Sequence, residues 1–337
     1  SQAREGHGLA PAAAHGRPHR IAADTAAVYN AAMQDALMRA WLASRSACSG
    51  GTVASYIPAL AGADGSALGL AAVDADGHVY EAGDSRSRFT IQSISKVLAL
   101  AYVMTELGEG AVFSRVGKEP TGDPFNSIIR LETSAGRKPF NPLINAGAIV
   151  VSSLMPGDGP ANKGERFRSF VGGLVGRTSV ERDDAVYQSE KSTAARNRSI
   201  AWFLKELGLL EGEVEDALDV YFRQCAVAMD AVELARVGAI LALDGVDPVS
   251  GSRALAARTA RVCKSLMVTC GMYDGSGEFA VDVGVPAKSG VGGGIMAAVR
   301  DRLGLGVYGP ALDERGNSAG GLAALRLLSD ELDLRVL

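Results

Sequence analysis

The segment Phe89–Leu107, with the sequence FTIQSISKVLALAYVMTEL, constrains the fold more than any other part of the chain. Strand-like alternation precedes it, and an amphipathic helical pattern starts at Ile94. Ser93 occupies the position where that helix should begin, so we predict that it is the N-cap residue. Lys96 follows one turn later on the same face. The apolar residues that recur at helical spacing are Ile94, Val97, Leu98, Ala101, Met104 and Leu107.

Ser93 and Lys96 form an S-x-x-K motif, the arrangement found in enzymes whose own catalytic serine is acylated during the reaction. A serine hydroxyl is a weak nucleophile until a base takes its proton, and a desolvated lysine can be neutral enough to do this. A helix N-terminus also favours the negative charge that develops during attack. The motif by itself arises often by chance, with the serine serving only as a cap, so the rest of the chain must decide.

Composition narrows the class of protein. Of the 337 residues, 47% are hydrophobic and 21% are charged, which is typical of a globular protein. The formal net charge of −4 gives no electrostatic reason to expect nucleic acid or an anionic membrane as a partner. No apolar run approaches the roughly 20 residues of a membrane span. The four cysteines contain no C-x-x-C pair, which indicates reduced, mostly buried thiols and a cytoplasmic location.

Histidine is scarce, and this limits the possible chemistry. Three of the four histidines lie in the polar N-terminal segment, and His78 falls in a predicted hairpin turn. A Ser-His-Asp triad or a histidine-ligated metal site is therefore not expected. We predict no metal and no cofactor, and the general base must be a lysine, a tyrosine or a carboxylate.

Strand signals lie near both ends of the chain, with helical signals between them. Residues 1–24 read as a loose tail, followed by a helix from Thr25 to about Ser46. The turn Asp74–Gly77 predicts a hairpin of Leu68–Val73 and Val79–Ala82. The apolar run Ile144–Leu154 predicts a buried helix. Further helices are expected at about 166–175, 192–208, 212–223, 230–243 and 254–270, strands at 278–285 and 291–299, and a closing helix from 320.

This order predicts an α+β fold, with an antiparallel sheet flanked by helices. We expect a single catalytic domain over residues 25–337. Its sheet part would comprise residues 25–110 and 271–337, and an all-helical subdomain would be inserted at 111–270.

Lys288-Ser289-Gly290, followed by Val291 and three glycines, supplies a second signal. In S-x-x-K enzymes a K-[ST]-G triplet on the edge strand faces the serine. Small residues let the backbone approach a substrate closely, and a second ammonium group would disfavour protonation of Lys96. Gly304–Gly309 formally matches G-x-G-x-x-G, but Pro310 follows at once and no βαβ unit surrounds it. We therefore do not expect dinucleotide binding.

Several polar stretches have no packing rationale: EPTGDPFNS (119–127), NPLINAGAI (141–149), SEKSTAARNRS (189–199), YFRQC (221–225) and CGMYDGSGEFA (270–280). With YIPAL, FTIQSISK and AKSGVGGGI, they resemble the bacterial serine-dependent glutaminases. Those enzymes are relatives of the β-lactamases and D,D-peptidases. The resemblance runs from about Val53 to Gly316-Asn317-Ser318, and it implies the fold of that superfamily. Departures at Ala226 and at 242–245 touch no proposed catalytic position.

The resemblance assigns a role to each matching position. Ser93 matches the nucleophile, Lys96 its base partner, and Lys288 the K-S-G lysine. Main-chain N–H groups of Ser93 and Val291 would form the oxyanion hole. The proton of Ser93 would pass to Lys96 or to a tyrosine, and Tyr273 is the expected carrier to the leaving ammonia. The residues expected to hold glutamine are Tyr56, Asn145, Glu190, Asn197, Tyr221 and Tyr273.

The expected function is therefore hydrolysis of L-glutamine to glutamate and ammonia through a Ser93 glutamyl-enzyme, by a homodimer or tetramer. A serine β-lactamase or D,D-peptidase is the first alternative, disfavoured because no S-D-N or Y-x-N motif lies between Ser93 and Lys288. A non-catalytic amino-acid-binding relative is the second alternative. The intact set of Ser93, Lys96, Tyr273 and Lys288 argues against it.

Overall fold

The structure, a computed structural model, describes residues 23–122, 126–127 and 138–336. The predicted N-terminal tail therefore lies almost entirely outside the described residues. The helices are α1 (Ala23–Ser44), α2 (Ser95–Leu107), α3 (Glu109–Phe113), α4 (Asn145–Ser153), α5 (Gly159–Leu174), α6 (Asp184–Ser192), α7 (Ala195–Glu206), α8 (Val214–Cys225), α9 (Ala231–Ala242), α10 (Ala257–Cys270), α11 (Ser276–Asp282) and α12 (Ala319–Leu332).

A five-stranded antiparallel sheet forms the centre of the fold, as predicted. Its strands come from both ends of the chain, in the order β3-β2-β8-β7-β6. Two short pairs, β1 with β9 and β4 with β5, complete the strand pairing of the described residues. The strands are β1 (Thr52–Val53), β2 (Gly69–Asp74), β3 (Val79–Gly83), β4 (Phe89–Thr90), β5 (Ala228–Met229), β6 (Ala287–Gly290), β7 (Gly294–Val299), β8 (Leu303–Tyr308) and β9 (Ala311–Leu312).

Helices cover both faces of this sheet. Leu37 of α1 and Leu325 and Leu328 of α12 pack with Leu70 and Val307 on one face. The opposite face packs against α9, whose residues join the larger core formed by the helical part of the chain. The alternating side chains of β2, β7 and β8 thus serve two separate cores, so these three strands are buried along their whole length, whereas the edge strand β3 is partly exposed. Among the described residues, no helix combines the length and apolarity needed to cross a bilayer.

The glycines of the G-x-G-x-x-G match at 304–309 have a packing role, which Gly304 and Gly306 illustrate. Both lie on β8, at its contact with α9. A Cβ atom on Gly306 would lie 1.8 Å from the Ala231 carbonyl oxygen, and one on Gly304 would lie 2.0 Å from the Ala239 amide nitrogen. The glycines are therefore required for close packing of helix on sheet.

The predicted hairpin, the buried helix at 144–154 and the closing helix are confirmed, as β2–β3, α4 and α12. The predicted strand Glu278–Val285 is wrong, because Ser276–Asp282 forms α11. Lys288-Ser289-Gly290 belongs to the edge strand β6, the position of the K-[ST]-G triplet in S-x-x-K enzymes. The predicted helix at 192–208 is broken at Thr193-Ala194, and α6 before the break was not predicted.

The expected role of Ser93 as a helix N-cap is also wrong. Ser93 is the middle residue of a 3-10 turn, Gln92–Ile94, and α2 begins only at Ser95. Neither the turn nor α2 has a side-chain cap at its N-terminus. The Ser93 hydroxyl is therefore not committed to a backbone amide of the helix.

Candidate active site

Ser93 opens onto a cavity of about 210 Å³ although only 8% of its surface is exposed. The 3-10 turn that carries it lies between β4 and α2, against the edge strand β6. Most of the residues predicted to form a site meet in this cavity. The predicted residues that line it are Tyr56, Ser93, Asn145, Glu190, Asn197, Tyr221 and Val291.

Lys96 lies beneath the cavity and is 1% exposed. Its Nζ donates hydrogen bonds to the Asn145 Oδ1 atom at 2.7 Å and to the Leu143 carbonyl oxygen at 3.3 Å. Burial lowers the pKa of this lysine to about 8, while nearby Cys225 and Glu190 oppose the shift. A substantial fraction of Lys96 is therefore neutral in mildly alkaline solution, as a general base requires.

Asn145 connects Lys96 to the far side of the cavity. It is the first residue of α4, so its side chain projects from a helix terminus into the site. Its Oδ1 accepts from Lys96, and its Nδ2 donates to the Asn197 Oδ1 atom at 2.9 Å. Because a carboxamide has one acceptor end and one donor end, these two contacts set the orientation of both amides. The Nδ2 group of Asn197 then remains available as a donor.

Tyr273 approaches Ser93 from the other side. A hydrogen bond links the side chains of Ser93 and Tyr273, and burial raises the pKa of the phenol above its ordinary value. Lys288 lies under the tyrosine ring, with Nζ 4.4 Å from the ring centroid. Lys288 is completely buried and donates to the carbonyl oxygens of Gly271 and Ser289. Burial, with a smaller contribution from Lys96, holds the pKa of Lys288 well below its usual range.

Two residues beside Ser93, one next to it in sequence and one next to it in space, have a strained backbone conformation. Among the described residues, five other than glycine have positive φ, and three of these are aspartates, which tolerate the left-handed region. The remaining two are Gln92, with φ of 47°, and Tyr273, with φ of 56°. Strained conformations of this kind cost roughly 1–3 kcal/mol each and concentrate at functional sites.

Glu190 contributes the carboxylate of the cavity. It lies in the last turn of α6 and is 8% exposed. Burial raises the pKa of Glu190 to about 7, against the opposing influence of Lys96 and of a hydrogen bond from Gln92. A cation that binds beside Glu190 would lower the pKa of this carboxyl group and so favour its ionised form.

Tyr221 and Tyr56 occupy different depths. Tyr221 on α8 is 3% exposed and forms a hydrogen bond with the Cys225 thiol, and burial raises the pKa of both groups. Tyr56 is 59% exposed at the rim. Cys225 also lies 4.0 Å from the Ser95 Oγ atom. All four cysteines of the chain are free thiols, as predicted.

The glycines after Lys288 bring the β6–β7 turn against Ser93's own segment. A Cβ atom on Gly292 would lie 2.2 Å from the Thr90 carbonyl oxygen, so only glycine permits this approach. Val291, the residue before it, is 7% exposed and packs with Tyr273. The main chain of Val291 is thereby held beside the 3-10 turn that carries Ser93.

Seven described lining residues were not among the predicted site residues: Ile57, Gln92, Asn126, Thr193, Ala194, Arg196 and Cys225. Each falls within a motif already noted for its polarity or for its resemblance to known enzymes. Other residues of the same motifs were predicted as site residues instead, because residue type alone cannot reveal which side chains face a cavity. No group of described residues could hold a metal ion through histidine, cysteine or carboxylate ligands.

Comparison with known proteins identifies the family. The glutaminase family model matches residues 51–337. Glutaminase 2 of Clostridium perfringens is 50% identical over 286 residues, which are 85% of this chain and 94% of that protein. The glutaminase of Geobacillus thermodenitrificans is 50% identical over 286 residues, covering 85% and 93%. The chain belongs to the glutaminase family.

Solved structures of glutaminases share the fold. The probable glutaminase YbaS superposes with a TM-score of 0.86 at 40% identity, covering 91% of this chain and 98% of that one. Bacillus subtilis glutaminase YbgJ, as a covalent complex with 5-oxo-L-norleucine, superposes with a TM-score of 0.82 at 40% identity, covering 89% and 98%. The chain is thus a glutaminase with the β-lactamase-like fold, as the resemblance implied.

Proposed function

We propose that this glutaminase hydrolyses the side-chain amide of L-glutamine through a glutamyl ester on Ser93. One observation carries the proposal. Ser93 faces the cavity, hydrogen-bonds Tyr273, and lies one turn before a buried lysine whose pKa is about 8. The proposed nucleophile thus contacts the proton carrier and lies one helical turn from the base, in a pocket that also holds a carboxylate and two carboxamides.

The reaction would begin with attack of the Ser93 Oγ atom on the amide carbon of glutamine. Lys96 accepts the proton, and the N–H groups of Ser93 and Val291 stabilise the oxyanion. The C–N bond then breaks, and the leaving nitrogen takes a proton to depart as ammonia. Water attacks the resulting ester and releases glutamate and free Ser93.

Lys96 is the base, and Tyr273 carries a proton to the leaving group. Burial raises the pKa of the Tyr273 phenol, so it stays protonated at rest and is a weak acid by itself. Lys96 is shifted the opposite way, toward the neutral amine, and becomes an ammonium when it takes the Ser93 proton. The phenol would therefore donate to the departing nitrogen while it takes up the proton held by Lys96, so that no tyrosinate accumulates. Lys288, beneath the Tyr273 ring, would keep the phenol in position.

Substrate recognition would use the other side of the cavity. Glu190 suits the α-ammonium group of glutamine, whose charge would restore the ionised carboxylate. Asn145 and Asn197, already oriented by their mutual hydrogen bond, supply amide donors and acceptors. Tyr221 and Tyr56 would complete the pocket at its base and at its rim.

Covalent labelling tests this proposal. The Bacillus subtilis relative reacts with 6-diazo-5-oxo-L-norleucine to form a covalent complex. We expect the same reagent to add one 5-oxo-norleucine group to this chain at Ser93, as measured by intact mass and peptide mapping. Ser93→Ala should neither be labelled nor release ammonia from glutamine.

Ser95→Ala is a matched control, because Ser95 is a completely buried serine two residues away. It should keep both labelling and activity. Labelling at another residue, or ammonia release by Ser93→Ala above the background of heat-inactivated enzyme, would contradict the serine ester. The resemblance also supports a homodimer or tetramer, which light scattering would test.

A further inference from the structure

Two acceptors of the Lys96 amine come from one short segment before α4. The Nζ atom donates to the Leu143 carbonyl oxygen at 3.3 Å and to the Asn145 Oδ1 atom at 2.7 Å. Asn145 is fixed by its place at the start of α4, whereas Leu143 lies in the turn that leads into this helix. The conformation of that turn therefore decides where the Leu143 carbonyl oxygen lies.

The side chain of Asn141 holds this turn together. It is 1% exposed, and its Oδ1 atom accepts from the Leu143 amide at 2.9 Å and from the Ile144 amide at 3.2 Å. An asparagine before a proline favours such a turn, because its side chain bonds the backbone and Pro142 restricts the angle φ.

One of these hydrogen bonds directs the carbonyl group that Lys96 uses. The Leu143 carbonyl and the Ile144 N–H belong to the same planar trans peptide unit, in which the two groups point in opposite directions. Because Asn141 holds the N–H end of this unit, the carbonyl end is turned away from Asn141 and toward Lys96.

Asn141 is itself held on two sides. Its Nδ2 atom donates to the Glu119 carbonyl oxygen at 2.9 Å, so the two ends of the carboxamide cannot exchange places. Helix α4 packs directly on its backbone, since a Cβ atom on Gly147 would lie 2.0 Å from the Asn141 carbonyl oxygen. The turn is therefore anchored both to segment 117–119 and to α4.

The two acceptors have a consequence for the neutral form of Lys96. A neutral primary amine has two N–H groups and one lone pair in a tetrahedral arrangement. When the oxygens of Leu143 and Asn145 accept from the two N–H groups, the lone pair must take the remaining direction. Only a lone pair that points at the Ser93 hydroxyl can accept its proton.

We propose that Asn141 is a positioning residue, which holds the Leu143 carbonyl so that the lone pair of Lys96 is directed at Ser93. The inference rests on the proposed function, which supplies the proton transfer from Ser93 to Lys96. Asn141 is not among the described residues that line the cavity around Ser93, so it would act through the amine and not through the substrate.

Asn141→Ala tests this role. We expect kcat/KM for glutamine, measured by ammonia release, to fall about ten- to a hundredfold, as misplacement of a catalytic group does. The inhibition constant of the product glutamate should change less than about twofold, because the binding residues keep their places. The loss should persist at pH well above the Lys96 pKa of about 8, since the defect lies in the direction of the amine and not in its protonation.

Two further variants separate positioning from stability. Asn141→Ser keeps an oxygen that can accept from a backbone amide of the turn, so its kcat/KM should lie only about two- to tenfold below wild type. Ser318→Ala removes another completely buried acceptor, which takes the Gly321 amide at 3.1 Å at the start of α12. It should lower Tm and leave kcat/KM unchanged.

Four results would overturn the inference: wild-type kcat/KM in Asn141→Ala, a loss that disappears at alkaline pH, an equal weakening of glutamate, or Asn141→Ser no better than alanine. If Asn141→Ala does not fold, Asn141→Ser decides alone, and wild-type kcat/KM or weakened glutamate binding in that variant would overturn it. A wild-type enzyme that released no ammonia, or an active Ser93→Ala variant, would instead contradict the proposed function. The two failures are therefore distinguishable.

Discussion

The Nζ atom of Lys96 lies 2.7 Å from the Oδ1 atom of Asn145, in a site where the lysine is almost completely buried. This contact joins the proposed base to the residues that would hold the substrate, because the other end of the same amide donates to Asn197. The Asn145 oxygen is a neutral acceptor, so it can bond the lysine in either protonation state. It stabilises the ammonium form less than a carboxylate would. Burial can therefore hold the pKa of Lys96 near 8.

Replacing this lysine with arginine should nearly abolish turnover. Guanidinium stays protonated in proteins, so Lys96→Arg would keep the charge and lose the base. General-base catalysis contributes roughly 10²–10⁴-fold, and we expect kcat to fall by that factor. Lys191→Arg is a suitable control, since Lys191 is a half-exposed lysine paired with Asp219. If Lys96→Arg retained substantial activity, with its fold verified by circular dichroism, the base would be reassigned to Tyr273.

Tyr273→Phe should separate binding from chemistry. The substitution removes the hydroxyl that hydrogen-bonds Ser93 but keeps the ring that lies over Lys288. We expect kcat to fall by about 10²-fold or more while KM changes little. Tyr102→Phe, a buried tyrosine packed on Phe170, serves as the control. A rise in KM at unchanged kcat would instead make Tyr273 a residue of substrate binding alone.

The pH dependence of kcat/KM should show two ascending steps. Glu190, with its pKa raised to about 7, must ionise to attract the substrate ammonium, so activity is gained as pH rises through 7. Lys96, with its pKa lowered to about 8, must lose its proton, so activity is gained again through 8. The observed values belong to the interacting groups together.

Glu190→Gln should leave a single step, which lies at lower pH than the upper step of the wild type because the Glu190 charge no longer favours protonated Lys96. It should also weaken glutamine binding about ten- to a hundredfold, the worth of a hydrogen bond to a charged group. Initial rates at subsaturating glutamine across this range measure both effects. An unchanged profile in Glu190→Gln, or the same KM and kcat as wild type, would remove Glu190 from the pocket.

Gly306→Ala should destabilise the fold without touching the cavity. Its Cβ atom would lie 1.8 Å from a backbone oxygen of α9, which cannot move aside as a side chain can. We expect a loss of about 3 kcal/mol or more, and hence a Tm lower by roughly 5–10 °C. Gly173→Ala, at an exposed position of helix α5, meets no atom within 4 Å and should leave Tm equal or slightly higher. A Tm drop in both variants alike would refute the packing explanation.

Local sequence patterns determined the elements that depend on local forces. The turn at Asp74–Gly77 was enough to predict the hairpin, because turn residues limit the backbone directly. The apolar run at 144–154 was enough to predict α4, because residues 145–152 are all buried. Ser93, Lys96 and the polar motifs were recognisable because chemistry restricts which residue types can occupy such positions, and the family they indicated is confirmed.

Tertiary structure alone decided the details on which the site depends. Apolar residues at 278–285 suit a strand or a helix, and packing of Phe279 into the core shared with α1 and α12 selected the helix α11. Ser93 would cap a helix in isolation, but contact with β6 holds it in a strained 3-10 turn. Glycine is required at positions 304 and 306 only because α9 packs closely on β8 in the tertiary structure.

The shifted pKa values of Lys96 and Glu190 likewise come from burial by segments distant in sequence. The position of Arg196 at the cavity follows from a helix break that the local pattern did not predict. The sequence by itself thus determined which residues could perform the chemistry, since side-chain type and local turns are short-range properties. Only the tertiary structure decided their protonation, strain and orientation, because desolvation and close backbone contact arise when remote segments pack together.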